Sequence, residues 1–297
     1  ILHSVFFSRE ASRDVLSGIK PPMKNFIFLF TFLAISFQSN YSQSEKQEQK
    51  NEYSIEKNIS YLKGDDYTNK RCVLDVYFPK SNENLPTLIY FHGGGLKRGN
   101  KYIPEYLKEK GIIVVAVNYR FYPEVSVKEI IDDGAMAVKW VYDHIIDYGG
   151  DQNKIFLSGH SAGGYIVSML GLDESYLNNV GLNQRQIAGL IPLSGHTITH
   201  MTAREEIGIG QKQPIIDKMA PIYHVKENTP PYIMITGDRE LELLGRYEEN
   251  AYMHRMMRIS GNMKTELYEI QGYGHMMVYP AMPILLRKIK EICNEND

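Results

Sequence analysis

Ile155-Phe-Leu-Ser-Gly-His-Ser-Ala-Gly-Gly164 is the stretch on which the reading of this chain turns. An apolar run, Ile155 to Leu157, leads into Gly159-His160-Ser161-Ala162-Gly163, and a second apolar run, Tyr165-Ile-Val-Ser-Met-Leu170, follows it. The pattern predicts a buried strand, a sharp turn and a buried helix. A serine at such a turn holds a strained backbone, so the positions two before and two after it must be small, and Gly159 and Gly163 meet that demand. The turn lifts the Ser161 hydroxyl above the sheet edge and aims the N–H groups of the helix N-terminus at the same point. Ser161 is therefore the expected nucleophile.

Working outward, Leu85 to Phe91 and Gly111 to Asn118 are continuous apolar runs, as expected of parallel strands covered on both faces. Ile55, Ile59 and Tyr61, followed by Cys72 to Phe78, predict an N-terminal strand pair joined through Gly64-Asp-Asp66. Further strands are expected over 186–193, 232–236 and 264–270. Helical patterns cover 102–110, 127–146, 241–259 and 282–292, and in the second of these Ile130, Ile131, Ala135, Val138 and Val141 form one stripe. Alternating β and α elements imply an α/β domain over 53–297, a mostly parallel, doubly wound sheet with helices on both faces. The mixed segment 197–225 interrupts the alternation, where a small lid is expected.

The 297 residues carry a formal net charge of −2 and are 43% hydrophobic, enough for a sizeable core and with no basic stripe for nucleic acid. Two cysteines, Cys72 and Cys293, make no disulfide framework and lack zinc-ligand spacing; two separate buried thiols are expected rather than a bridge. Residues 1–22 show no periodicity. Met23-Lys-Asn then opens the apolar run 26–37, with Ser42 to Ser44 beyond it. That describes a signal peptide over 23–44, followed by a polar linker over 45–52, and hence a secreted or periplasmic protein. At about a dozen residues the run falls short of the ~20 that a membrane span needs, so no stable insertion is expected after cleavage.

A nucleophilic serine needs an oxyanion hole, a base and an orienting acid. Phe91-His92-Gly93-Gly94-Gly95 follows a buried strand, and its glycines let bare N–H groups approach a substrate oxygen. Donors from Gly94 and Gly95 would converge there with the N–H of Ala162, while Gly93 and His92 hold the loop. Of nine histidines, His275 in Gln271-Gly-Tyr-Gly-His275 follows the last expected strand and is the candidate base. His160 adjoins Ser161 but should point away from it, and His196, His200 and His224 fall in or near the lid segment. The acid should follow the strand ending at Thr236, where Asp238 and Glu240 are both available.

His92-Gly-Gly-Gly95, Asn118-Tyr-Arg120, Gly149-Gly-Asp151, Gly159-His-Ser-Ala-Gly-Gly164, Gly237-Asp-Arg-Glu240 and Gly272-Tyr-Gly-His275 together resemble the α/β-hydrolase superfamily. Within it, the sequence is similar to the hormone-sensitive-lipase-like and acetyl esterase (carboxylesterase) group, from about Tyr53 to the C-terminus. The order serine, acid, histidine is that superfamily's order. Its spacing places the acid three residues after the glycine, on Glu240, with Asp238 the rival; Asp is the commoner residue there. Leu96 replaces an aromatic residue, and Gly99-Asn100 lacks an acidic one usual after the glycine run. The resemblance implies a serine carboxylesterase for short acyl esters, of small molecules or glycans, that uses no metal or organic cofactor. The alternatives are an amidase-type hydrolase (arylformamidase-like or peptidase) and a non-catalytic binding protein of the same fold.

Overall fold

The computed structural model describes residues 52–81 and 83–296; the expected signal peptide and nearly all of the expected linker lie outside them. In chain order the elements are β1 (Tyr53–Ser60), α1 (Asp66–Arg71), β2 (Val73–Pro79), β3 (Leu85–Phe91), β4 (Ile113–Val117), α2 (Val127–His144), β5 (Gly150–His160), α3 (Ala162–Leu172), α4 (Glu174–Asn178), β6 (Gly189–Leu193), α5 (Met201–Glu206), β7 (Tyr232–Gly237), α6 (Arg246–Ile259), β8 (Thr265–Ile270) and α7 (Val278–Asn296). The eight strands form one sheet in the order β1-β2-β4-β3-β5-β6-β7-β8. β1 and β2 pair antiparallel, as do β2 and β4, and every later pairing is parallel.

Both faces are covered, and the strands show it residue by residue. Ile89 and Phe91 of β3 point into one core layer and Leu88 and Tyr90 into the other, and in β7 Tyr232 and Met234 alternate in the same way with Ile233 and Ile235. Such two-sided burial explains why these strands read as unbroken apolar runs. One layer takes the stripe of α2, which starts on a Ser126–Glu129 capping box, and all of α3; α7 closes the other. Every residue of α3 is buried, which suits a helix apolar all round. Cys72 and Cys293 lie one in each layer and form no disulfide; burial pushes the Cys72 thiol up to about 12. Among the described residues no helix is long and apolar enough to cross a membrane.

Three local expectations are corrected. The Gly64-Asp-Asp66 segment is not a hairpin turn but the start of α1. Asp65 caps this helix by accepting from the Thr68 N–H at 2.7 Å, and Arg71 at its end donates to the Tyr119 carbonyl at 3.0 Å. The helix expected over 102–110 reduces to one 3-10 turn, Glu105–Leu107: Pro104 disfavours a helical conformation at Ile103 before it, and Lys108 after the turn is extended. The helix expected from Leu241 starts only at Arg246. Gly245 holds φ 74°, and residues 238–242 wind into a separate turn in which the N–H groups of Leu241 and Glu242 both donate to the Asp238 carbonyl.

The strand register sets the site. Phe91 lies opposite Gly159, His160 opposite Leu193 and Gly237 opposite Ile270, so the loops leaving β3, β5, β6, β7 and β8 all emerge along one edge of the sheet. α3 crowds that edge: a Cβ built on Gly163 would lie 2.1 Å from the Phe91 carbonyl oxygen. Gly163→Ala must therefore push β3 and α3 apart, and should destabilise the fold by about 3 kcal/mol. Thermal unfolding would show it, and an unchanged melting temperature would mean that the contact is slack.

Candidate active site

Ser161 lies between β5 and α3 at φ 57° and ψ −112°, a conformation outside the regions that L-residues favour. It persists because its ends are tied, with its N–H donating to the Leu193 carbonyl and its own carbonyl accepting from Tyr165 in α3. The turn brings the side chain to the loop after β8. Ser161 Oγ lies 2.9 Å from His275 Nε2, and His275 Nδ1 lies 2.6 Å from Glu242 Oε1. Since Nδ1–H donates to the carboxylate, Nε2 is free to accept the serine proton.

The carboxylate that meets His275 is thus Glu242, and neither Glu240 nor Asp238. Asp238 ties the loops instead: Oδ1 accepts from the Glu240 N–H at 2.9 Å, and Oδ2 accepts from Gly272 at the start of the His275 loop at 2.8 Å. Glu240 is exposed. The turn over 238–242 folds Glu242 inward by two residues more than the familiar spacing allows, leaving its side chain only 1% exposed. Four donors hold the carboxylate: His275 and the Leu243 N–H on Oε1, Ser194 Oγ (2.5 Å) and the Gly237 N–H (3.1 Å) on Oε2. Burial alone would raise its pKa. The hydrogen bonds from His275, Ser194 and Leu243 outweigh that and hold it at about 2. Gly245 was the available signal, since a residue favoured in the left-handed region ahead of Arg246 argues against one helix from Leu241.

Gly237 has to be glycine because a Cβ there would meet the Tyr273 and Gly274 carbonyls within 2.7 Å and Glu242 Oε2 at 2.8 Å. His160 turns away from the nucleophile, and its Nε2 donates to the His275 carbonyl at 2.7 Å. Burial first, and then the neighbouring His275, hold its pKa down at about 4, so the ring supports the base as a neutral donor. His92 donates from Nδ1 to the Gly93 carbonyl and stacks on Tyr119 at 4.4 Å between ring centroids, while Gly94 leaves no room for a side chain against the Arg98 carbonyl. The Gly95 carbonyl accepts from Thr202 of α5 at 2.6 Å. Gly93, Gly94, Gly95, Ser161 and His275 line one cavity of about 660 Å³, and Ala162 stands at the first position of α3, where an N–H has no acceptor within the helix.

A buried cluster braces the back of the site. Arg246, 1% exposed, donates to the Ser194 carbonyl, to Glu249 and to His196 Nε2, and His196 Nδ1 donates to Glu249 in turn. Burial, with Arg246 beside it, holds His196 down at about 4, so the buried pair Arg246–Glu249 is joined by a neutral ring. His200 lines the cavity and its Nδ1 accepts from the Thr202 N–H; His224 lies outside it, bonded to the Lys218 carbonyl. The 197–225 segment thus supplies one wall, through His200, Met201, Thr202 and Gln211. Among the described residues no group of three or more His, Cys, Asp or Glu gathers as metal ligands.

A probable isoprenylcysteine alpha-carbonyl methylesterase of Arabidopsis thaliana is 25% identical over 251 residues, 75% of this chain and 52% of that protein. A probable N-octanoylanthranilate hydrolase of Rhodococcus erythropolis is 28% identical over 67% of this chain and 50% of its own length. The chain thus spans about half the length of these curated relatives. Among solved structures, esterase B of Lactobacillus rhamnosis superposes with a TM-score of 0.68 at 17% identity, covering 84% of this chain and 88% of that one, a likeness of fold. With an eight-stranded, mostly parallel sheet of the α/β-hydrolase kind, and with residues 74–243 matching the BD-FAE family, the chain belongs to that family.

Proposed function

We propose that the protein is a serine hydrolase of carboxylic esters with short acyl groups, exported through the segment 23–44 and acting on small or carbohydrate esters. The observation that carries the reading is the unbroken relay Ser161–His275–Glu242, with 2.9 Å and 2.6 Å links, on a strained turn. Ser161 Oγ attacks the ester carbonyl while His275 Nε2 takes its proton. Glu242 stabilises the imidazolium and keeps Nδ1 protonated. The N–H groups of Gly94, Gly95 and Ala162 take the charge on the carbonyl oxygen. His275 then returns the proton to the leaving alcohol, and water, activated by the same ring, releases the acid.

The lining supports the short acyl group and the polar alcohol. Buried His200 and Arg246 form part of it, and Asn100, Thr202 and Gln211 add polar side chains. The name of the Rhodococcus relative, with its acyl group on nitrogen, favours amides as the second reading.

A p-nitrophenyl ester series is expected to be hydrolysed fastest at acetate and more slowly as the chain lengthens. Rates that rise with length would overturn the short-acyl reading. No turnover of any ester, with Ser161 still labelled by a fluorophosphonate, would move the function to amides. Ser161→Ala should cut kcat by roughly 10³-fold or more without lowering thermal stability. Glu242→Gln should cost roughly 10²-fold or more in kcat, and Glu240→Gln little. The reverse pattern would put the acid at Glu240 after all.

Glu242 also makes a prediction about pH. Its folded pKa of about 2 lies below the ordinary 4.5, so the unfolded chain binds the proton first. The contribution is complete above pH 4.5 and is lost as pH falls toward 2. The difference in melting temperature between the wild type and Glu242→Gln should accordingly shrink across that window, and a constant difference would contradict the pairing.

A further inference from the structure

The cavity over Ser161 has an uneven charge. Among its lining residues are the cations Lys97, Arg98 and Arg246, and no Asp or Glu, although the whole chain carries a formal net charge of −2. Two of these cations are answered within the protein. Lys97 Nζ pairs with Glu205 at 2.7 Å and Arg246 with Glu249 at 2.8 Å. Arg98 is not: among the described residues its guanidinium makes no ion pair and no hydrogen bond. It is also the cation placed by the oxyanion loop itself. Its carbonyl and Cγ pack against Gly94, and Gly99 beside it, at φ 120°, leaves no space for a Cβ against the His92 ring. Arg98 is exposed and forms part of the cavity lining.

The two halves of an ester meet different surroundings here. His200 and Arg246 of the lining are buried, while Arg98 and Asn100 are exposed. An acyl group seated inward would leave the alcohol half facing Arg98. A neutral alcohol gains little from an unpaired guanidinium, whereas a carboxylate can take two of its donors at once.

Resting on the ester-hydrolase reading above, we infer that the preferred substrates are esters whose alcohol half bears a carboxylate, bound by Arg98. Arg98 is a specificity contact; the chemistry stays with Ser161 and His275. An exposed cation also steers such substrates inward, and that part of its effect is screened by salt.

The test compares 4-acetoxybenzoate with its neutral isostere 4-acetoxybenzamide, which places the charge on the alcohol half, using the whole protein. The wild type should favour the benzoate roughly tenfold in kcat/KM, mostly through KM. The preference should fall by half or more between low salt and 0.5 M NaCl, drop to near one in Arg98→Gln, and survive in part in Arg98→Lys. The ratio within each variant corrects for any general loss of activity. A wild-type ratio near one, or the same ratio in Arg98→Gln, would overturn the inference while benzamide turnover left the hydrolase reading standing. A preference only for charge on the acyl half, read with mono-4-nitrophenyl adipate against its terminal amide, would overturn it as well. Failure of every ester would overturn both readings.

Discussion

The close approach of α3 to the end of β3 is the constraint on which the rest of the structure depends. Gly159 and Gly163 let the two backbones meet, each so near the Phe91 carbonyl that a methyl group would overlap it. That contact holds Ser161 at φ 57° and ψ −112°, a conformation that costs on the order of 1–3 kcal/mol and that no single residue would keep unaided. The surroundings make it compulsory. Ser161 continues the ladder to β6 through Leu193 and begins α3 through Tyr165, so relaxing the turn would break the strand pairing and the helix start together. A wholly buried helix supplies the stability that the strained residue lacks.

From that point the site is assembled by register. Parallel strands whose ends lie level deliver the glycine loop, the nucleophile, Ser194, the acid loop and the histidine loop to one edge. None of these groups touches another by virtue of closeness in the chain: Ser161 and His275 are 114 residues apart, and His275 and Glu242 are 33 apart. The loops are then bolted to each other by side chains with no part in bond making. Asp238 joins the turn after β7 to the loop after β8, His160 holds the His275 backbone, and Thr202 fixes the glycine loop to α5.

Charge is handled in two ways. Behind the site it is cancelled, as Arg246 and Glu249 neutralise each other across a His196 held neutral by burial and by the arginine. The carboxylate of Glu242 stays ionised in its buried pocket because four hydrogen bonds replace the water it has lost. In front of the site the balance is left open: Arg98, in the cavity lining, has no ion-pair or hydrogen-bond partner among the described residues. A carboxylate on the substrate would complete that balance.

Residue pattern alone determined the strands, most of the helices, and the places of Ser161 and His275, because two-sided burial writes continuous apolar runs and a strained turn admits only glycine at its flanks. β3, the α2 stripe and β7 were legible for that reason. The acid was not. Asp238, Glu240 and Glu242 are chemically near-equivalent in sequence, and the choice among them depends on a turn closed by the Asp238 carbonyl and on donors from Ser194 and Gly237, contributed by the ends of two neighbouring strands. The α1 helix and the late start of α6 were hidden likewise, decided by the Asp65 cap and by the left-handed Gly245 over hydrophobic period. Local sequence specifies which residues are buried and where the chain must turn. Only tertiary packing decides which of several similar carboxylates is carried inside, because that depends on hydrogen-bond donors brought from distant parts of the chain.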